Sequence, residues 1–94
     1  KAGLSGLTRS LSYDYAHLGI RVNNLVPGYF KTAMTKKSFD DPSKNKDRAN
    51  RSLLRRWGDP KELIGPAIFL ASKASSFITG TDIIVDGGWS IKGL

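Results

Sequence analysis

The chain has 94 residues, of which 39% are hydrophobic, contains no cysteine and carries a formal net charge of +7. This composition excludes a disulfide-stapled scaffold and a disordered polyelectrolyte, and no apolar run reaches the roughly 20 residues that a membrane-spanning helix needs. What remains is a small α/β domain or part of one, read as cytoplasmic because neither a leader nor a spanning segment is visible. The chain starts at Lys1, without methionine and inside a helix already under way, so it reads as a piece of a longer protein. A core this small is expected to leave an apolar face exposed.

In residues 2–18, Leu4, Leu7, Leu11, Tyr15 and Leu18 recur at spacings of three and four, which predicts a helix with one apolar stripe. Gly3 and Gly6 each weaken that helix by about 1 kcal/mol relative to alanine, and they leave room for another backbone or for a helix of a second subunit. Gly19 stands where a helix of this length is closed. His17, the only histidine, falls in the last turn, where a cation suits the helix dipole. No second ligand or nucleophile lies near it in sequence, so a structural role is preferred over a metal or catalytic one.

Val22, Leu25 and Val26 mark a strand over 21–26 that stops at Pro27-Gly28, because proline removes a donor and glycine permits the exit. Ligands of open α/β sheets sit at the carboxyl ends of strands, which places Tyr29 to Thr32 over a binding crevice. The next stretch is basic: residues 31–61 hold ten Lys or Arg against four Asp or Glu before Glu62. Such a run reads either as a solvated face or as an attraction for anionic substrate or cofactor phosphate. Phe39 and Trp57 are its only aromatics, which argues against nucleic acid.

Residues 33 to about 50 are polar and unpatterned, as in a functional lid or a disordered loop. Leu53, Leu54 and Trp57 follow as an apolar anchor, and Asp59-Pro60 then forms a helix start. Leu63, Ile64, Ala67, Ile68 and Ala71 are the expected buried face of that helix, widened by Phe69 and Leu70. Pro66 is costly there unless it falls in the permissive first turns. After a connector and a turn at Gly80, Ile83 to Val85 form a second strand, ended by Asp86-Gly87-Gly88. Two strands, each preceded by a helix, predict parallel pairing with a right-handed crossover. Trp89 and Ile91 are expected to pack against a neighbouring chain.

The series Lys1-Ala2-Gly3-Leu4, Gly19-Ile20-Arg21-Val22-Asn23, Pro27-Gly28 with Thr32, Arg56-Trp57-Gly58-Asp59-Pro60-Lys61-Glu62, Phe69-Leu70-Ala71-Ser72, Ile78-Thr79-Gly80 and Val85-Asp86-Gly87-Gly88 resembles, in order, the short-chain dehydrogenases/reductases. The resemblance implies the C-terminal portion of one Rossmann-like doubly wound parallel sheet, with the order helix, strand, lid helices, helix, strand. It further implies a substrate lid at about 33–57 and a cofactor-binding half upstream of Lys1. By the same resemblance, Lys1 is the lysine of a catalytic Tyr-x-x-x-Lys pair and also holds the nicotinamide ribose. Pro27, Gly28, the main chain of Phe30 and the Thr32 hydroxyl would then contact the cofactor, with Tyr29 and Met34 on the substrate side.

The cofactor so implied is NAD or NADP, with no metal. The reaction is hydride transfer between a secondary alcohol and a ketone, on a small molecule such as a sugar or sugar acid. Reduction of a 3-oxoacyl group on acyl carrier protein is an alternative, as is a non-catalytic assembly module. A homo-oligomer, dimer or tetramer, is implied, with the Asp86-Gly87-Gly88 strand supporting assembly. Neither nucleic acid nor membrane is expected as a partner.

Overall fold

The computed structural model describes residues 2–92, in the order α1 (Ala2–Tyr15), β1 (Asn24–Pro27), α2 (Lys36–Asp40), α3 (Pro42–Arg51), α4 (Ile64–Ala71) and β2 (Asp82–Val85). The two strands form a two-stranded sheet. The Asn24 N–H donates to Thr81 O at 2.9 Å and the Gly28 N–H to Val85 O at 3.0 Å. Both chains of acceptors and donors advance together, so the pairing is parallel, as the sequence predicts. The residues fall into two compact units: one holds the residues up to Val26 with Gly65–Ile83, the other Pro27–Ile64 with the residues from Ile84 onward.

In the first unit, α1 ends in a 3₁₀ turn over Ala16–Leu18, closed by Gly19 at φ 74°, whose N–H bonds Ala16 O. Glycine adopts this left-handed conformation without the Cβ penalty, so the expected stop is found in its expected place. The face of α1 that turns inward is not the leucine stripe. Thr8 and Ser12 are its buried residues, while Leu4, Leu7 and Leu18 are all more than half exposed. The reason is close approach: a Cβ on Gly80, at φ +75°, would lie 2.8 Å from Ser12 Oγ. Only small side chains fit that contact. Their hydroxyls are satisfied within the helix, Thr8 by Leu4 O and Ser12 by Arg9 O, so their burial is not penalised. Ser5 adds a tie to β2, donating to Asp82 Oδ2 at 2.7 Å. Nothing among the described residues approaches within 4 Å of a Cβ on Gly3 or Gly6.

The strand expected at 21–26 is confined to Asn24–Pro27. Upstream of it the main chain bonds to side chains and to a turn: Val22 N–H donates to Thr79 Oγ1, and Thr81 N–H donates to Asn23 Oδ1. Pro27 is tolerated as the last strand residue. Donors to β2 come from Asn24 and Gly28, an even spacing that leaves the Pro27 nitrogen pointing away from β2.

Arg21 organises the far end of this unit. Its guanidinium donates to Ser75 Oγ (2.9 Å), Ile78 O (3.1 Å), Leu70 O (3.0 Å) and Ser72 O (3.3 Å). These acceptors include the C-terminal carbonyls of α4, where a cation also suits the dipole. Pro66 is the third residue of α4, within the turn whose N–H groups have no intrahelical partner, so it costs nothing there. The expected buried face of α4 is not buried within this chain: Ile64 and Ile68 are more than half exposed, and α4 contributes no buried residue. The anticipated exposed apolar surface is therefore formed by α1 and α4 residues.

Arg21→Met is expected to destabilise the fold by about 1–3 kcal/mol, because it removes four hydrogen bonds from a charged donor, although Ser75 and Asn23 still donate to the same carbonyls. Chemical denaturation of wild type and variant measures this; an unchanged midpoint would show that water serves those carbonyls equally well.

Candidate functional site

The second unit is built on the strand ends. A Cβ on Gly28 would lie 2.7 Å from Asp86 Cβ and 2.8 Å from Asp86 Cα. The glycine is thus demanded by the neighbouring strand exit itself, a reason the sequence does not reveal. Asp86 in turn shapes its own turn, taking the N–H of Gly88 on Oδ1 and that of Ser90 on Oδ2.

Beyond Gly28 the chain pairs with a second segment. Gly58 N–H donates to Tyr29 O (2.9 Å), and Lys31 N–H donates to Gly58 O (3.0 Å), a parallel bridge around Phe30. The Phe30 ring is buried and fills the space over Gly58, where an added Cβ would clash with Phe30 Cε2. The large residue at 30 and the absent side chain at 58 are complementary.

The polar stretch that reads as a loop is mostly helical. Asp41 caps α3, accepting from the N–H groups of Ser43 and Lys44, with Pro42 at the first position. The cap on α3 and tertiary anchors stabilise these short helices where apolar periodicity is lacking. The chief anchor is Trp57, 5% exposed, packed edge-on against Phe39 at 5.5 Å and Tyr29 at 5.8 Å between ring centroids. Its indole N–H donates to both the carbonyl and the side-chain oxygen of Asn45, while Asn45 Nδ2 donates to Phe39 O.

Trp89 joins the same cluster, 5.9 Å from Tyr29, and is half-buried within its own chain. Ile91 remains exposed.

Much of the basic charge is used internally. Lys36 pairs with Asp40, Arg48 and Arg51 with Asp47, and Arg56 with Glu62, while Lys31 lies over the Phe39 ring and Arg48 over the Tyr29 ring. The Arg56 fork is bidentate on Glu62, at 2.7 and 2.9 Å. Glu62 also accepts the Asp59 N–H, closing a capping box at the turn before α4. The Arg56 hydrogen bond, followed by that from the Asp59 backbone, lowers the Glu62 pKa to about 2, and the same pairing raises that of Arg56.

A cavity of about 110 Å³ opens among Tyr29, Phe30, Arg48, Arg56, Glu62 and Trp89. It is smaller than the roughly 300 Å³ at which ligand pockets begin, so it is at most a corner of a site. The sequence-derived positions distribute around it unevenly. Tyr29 and Phe30 line it; Thr32 is exposed and bonded to Thr35; Met34 is 94% exposed. Pro27 is exposed at the strand end beside Gly28. Lys1 lies outside the described residues.

Thr35, Asn45 and Arg48 were not singled out by sequence reading. Only Thr35 carried a signal, a hydroxyl three residues after Thr32, the spacing of a side-chain-stabilised turn.

A parallel strand pair with a Pro-Gly turn at the carboxyl end of β1 and helices around it is an α/β arrangement, the class in which ligands sit at that edge of the sheet. The comparisons agree. The family model described as enoyl-(acyl carrier protein) reductase matches residues 1–90. Relatives include 5-keto-D-gluconate 5-reductase of Escherichia coli, 47% identical over 94% of this chain, and 2-dehydro-3-deoxy-D-gluconate 5-dehydrogenase of Bacillus subtilis, 44% identical over 95% of it. The crystal structure of a gluconate 5-dehydrogenase from Burkholderia cenocepacia, in complex with NADP and tartrate, superposes with a TM-score of 0.93 at 41% identity, covering 97% of this chain and 36% of that one. The chain belongs to the short-chain dehydrogenase/reductase family, and it spans 35% of the length of the two curated relatives.

The ion pair of Glu62 has a pH signature. Its folded pKa of about 2 lies below the ordinary 4.5, so its stabilisation is complete above pH 4.5 and fades as pH falls from there towards about 2. Glu62→Gln is expected to lower stability at neutral pH and to flatten the acid limb in that window, as read by thermal unfolding at stepped pH. An unchanged acid limb would remove Glu62 from the titrating set.

Proposed function

We propose that the protein carrying this chain is an NAD(P)-dependent oxidoreductase that interconverts a secondary alcohol and a ketone on a sugar acid. The observation that carries the reading is the carboxyl-edge turn: Gly28 pressed against Asp86, then Thr32 with an exposed hydroxyl held at a fixed place. The named relatives act on keto-gluconates and related sugar acids, and a solved relative binds NADP, which supports both the substrate class and the cofactor.

In this reading the chain supplies the C-terminal portion of the site. The exposed Thr32 hydroxyl and the Phe30 main chain fit an amide-bearing ligand, since one offers oxygen lone pairs and the other peptide groups. When bound, the dinucleotide supplies or accepts the hydride. Lys1 lowers the pKa of a tyrosine four residues upstream by placing an ammonium near its phenolate, and holds ribose hydroxyls. Residues 33–57 act as the lid, whose aromatic latch around Trp57 lets α2 and α3 move as a body and shields the reacting atoms from water. Tyr29 and Met34 face the substrate, and the lid's basic residues attract its carboxylate. The protein works as a soluble cytoplasmic homo-oligomer.

The test is reduced-nicotinamide absorbance with the whole protein, NAD or NADP, and a panel of gluconates, keto-gluconates, polyols and 3-oxoacyl thioesters. Turnover on sugar acids supports the reading, whereas turnover confined to thioesters replaces it with acyl-carrier reduction. No dinucleotide binding would favour the assembly role. Lys1→Met is expected to cut kcat by about a hundredfold or more without unfolding the protein, and near-normal turnover would refute the role given to Lys1.

A further inference from the structure

We infer that Thr35 is a positioning residue, which holds the Thr32 hydroxyl and the Phe30 main chain in the attitude needed to meet the carboxamide of a nicotinamide dinucleotide. The inference rests on the reading just given of Thr32 and Phe30.

Thr35 stands at the N-cap of α2, yet its side chain makes no capping hydrogen bond. Threonine is favoured there because its oxygen ordinarily takes an N–H of the first turn. Here the oxygen is turned back onto the preceding residues. Thr35 Oγ1 lies 2.5 Å from Phe30 O, 2.9 Å from Thr32 N and 3.3 Å from Thr32 Oγ1. It is also 3.3 Å from Thr32 O. A side chain that forgoes its helix cap for contacts with the residues just before it has been recruited to the turn.

Proton bookkeeping then fixes the polarity of Thr32. A hydroxyl has one proton and two lone pairs. The Thr35 proton goes to Phe30 O, its shortest contact, and one Thr35 lone pair takes the Thr32 N–H. The contact between the two hydroxyls must therefore use the Thr32 proton. Thr32 is left with lone pairs on its exposed side, an acceptor suited to a carboxamide N–H. Without Thr35, the Thr32 hydroxyl is free to rotate and to present a proton instead.

The lid is tied into the same group. Thr35 N–H bonds Thr32 O at 3.2 Å, and the Phe39 N–H bonds Thr35 O at 3.0 Å. Thr35 thus joins the cofactor-side turn to the first lid helix through one residue.

The test uses the whole protein with Thr35→Val, Thr35→Ser and Thr32→Val, titrated with NADH and with NADPH by fluorescence. Thermal unfolding and amide hydrogen exchange at Thr32 are read in parallel without dinucleotide; Thr35→Ala carries the same test if the valine variant does not fold. Thr35→Val is expected to weaken dinucleotide binding about five- to thirtyfold and to lose protection at the Thr32 amide, while Thr35→Ser restores both to within about twofold. Wild-type affinity in Thr35→Val, together with weakened binding in Thr32→Val, overturns the positioning role and leaves the site intact. Equal loss in the serine and valine variants also overturns it, since shape rather than the hydroxyl would then matter. Wild-type affinity in Thr32→Val removes Thr32 from the site and with it the basis of the inference.

Discussion

The exclusion of a side chain at residue 28 is the constraint on which the candidate site depends. Gly28 donates to Val85 O at 3.0 Å, and its α-carbon faces Asp86 so closely that no Cβ fits. This pins the exit of β1 against the exit of β2. The next residues must leave at a defined angle, so Tyr29 and Lys31 reach the main chain of Gly58 and the Phe30 ring closes over it. A glycine in such a turn is usually credited with admitting a ligand. Here its first duty is to the chain itself, and any ligand benefits from a backbone already fixed.

The segment over residues 33–57 illustrates how polar sequence becomes ordered structure. Its helices are short and lack an apolar stripe, so intrinsic propensity alone would leave them marginal. Trp57 changes that, because one buried indole gathers Phe39, Tyr29 and both oxygens of Asn45. The segment is internally packed, and Lys36, Arg48, Arg51 and Arg56 are held in ion pairs, which leaves a smaller unbalanced field than the formal count suggests. The remaining field is correspondingly local, and screened by salt beyond about 10 Å.

Hydrophobic periodicity misled at one point and informed at another. The leucine stripe of α1 and the isoleucines of α4 are spaced as buried faces, and the spacing did predict helices. The faces themselves remain exposed, and the inward side of α1 carries Thr8 and Ser12. Periodicity reports which residues seek burial, not which element of the same chain will cover them. Close helix-to-backbone approach at Gly80 requires small residues, and a pattern search for large apolar ones passes over it.

The sequence by itself determined the element order, the stops at Gly19 and Pro27-Gly28, the helix start at Asp59-Pro60, the parallel pairing and the family. These are encoded locally, in backbone dihedral limits, missing donors and caps that act within a few residues. Only the tertiary structure decided why Gly28 and Gly58 must be glycine, that Arg21 serves the end of α4, that Trp89 folds back onto Tyr29, and that Thr35 turns from its helix towards Thr32. Each of those depends on atoms brought together from separate segments or on a choice between competing hydrogen bonds; the spacing of Thr32 and Thr35 permits the last of them, but the order of residues alone does not decide which bond wins.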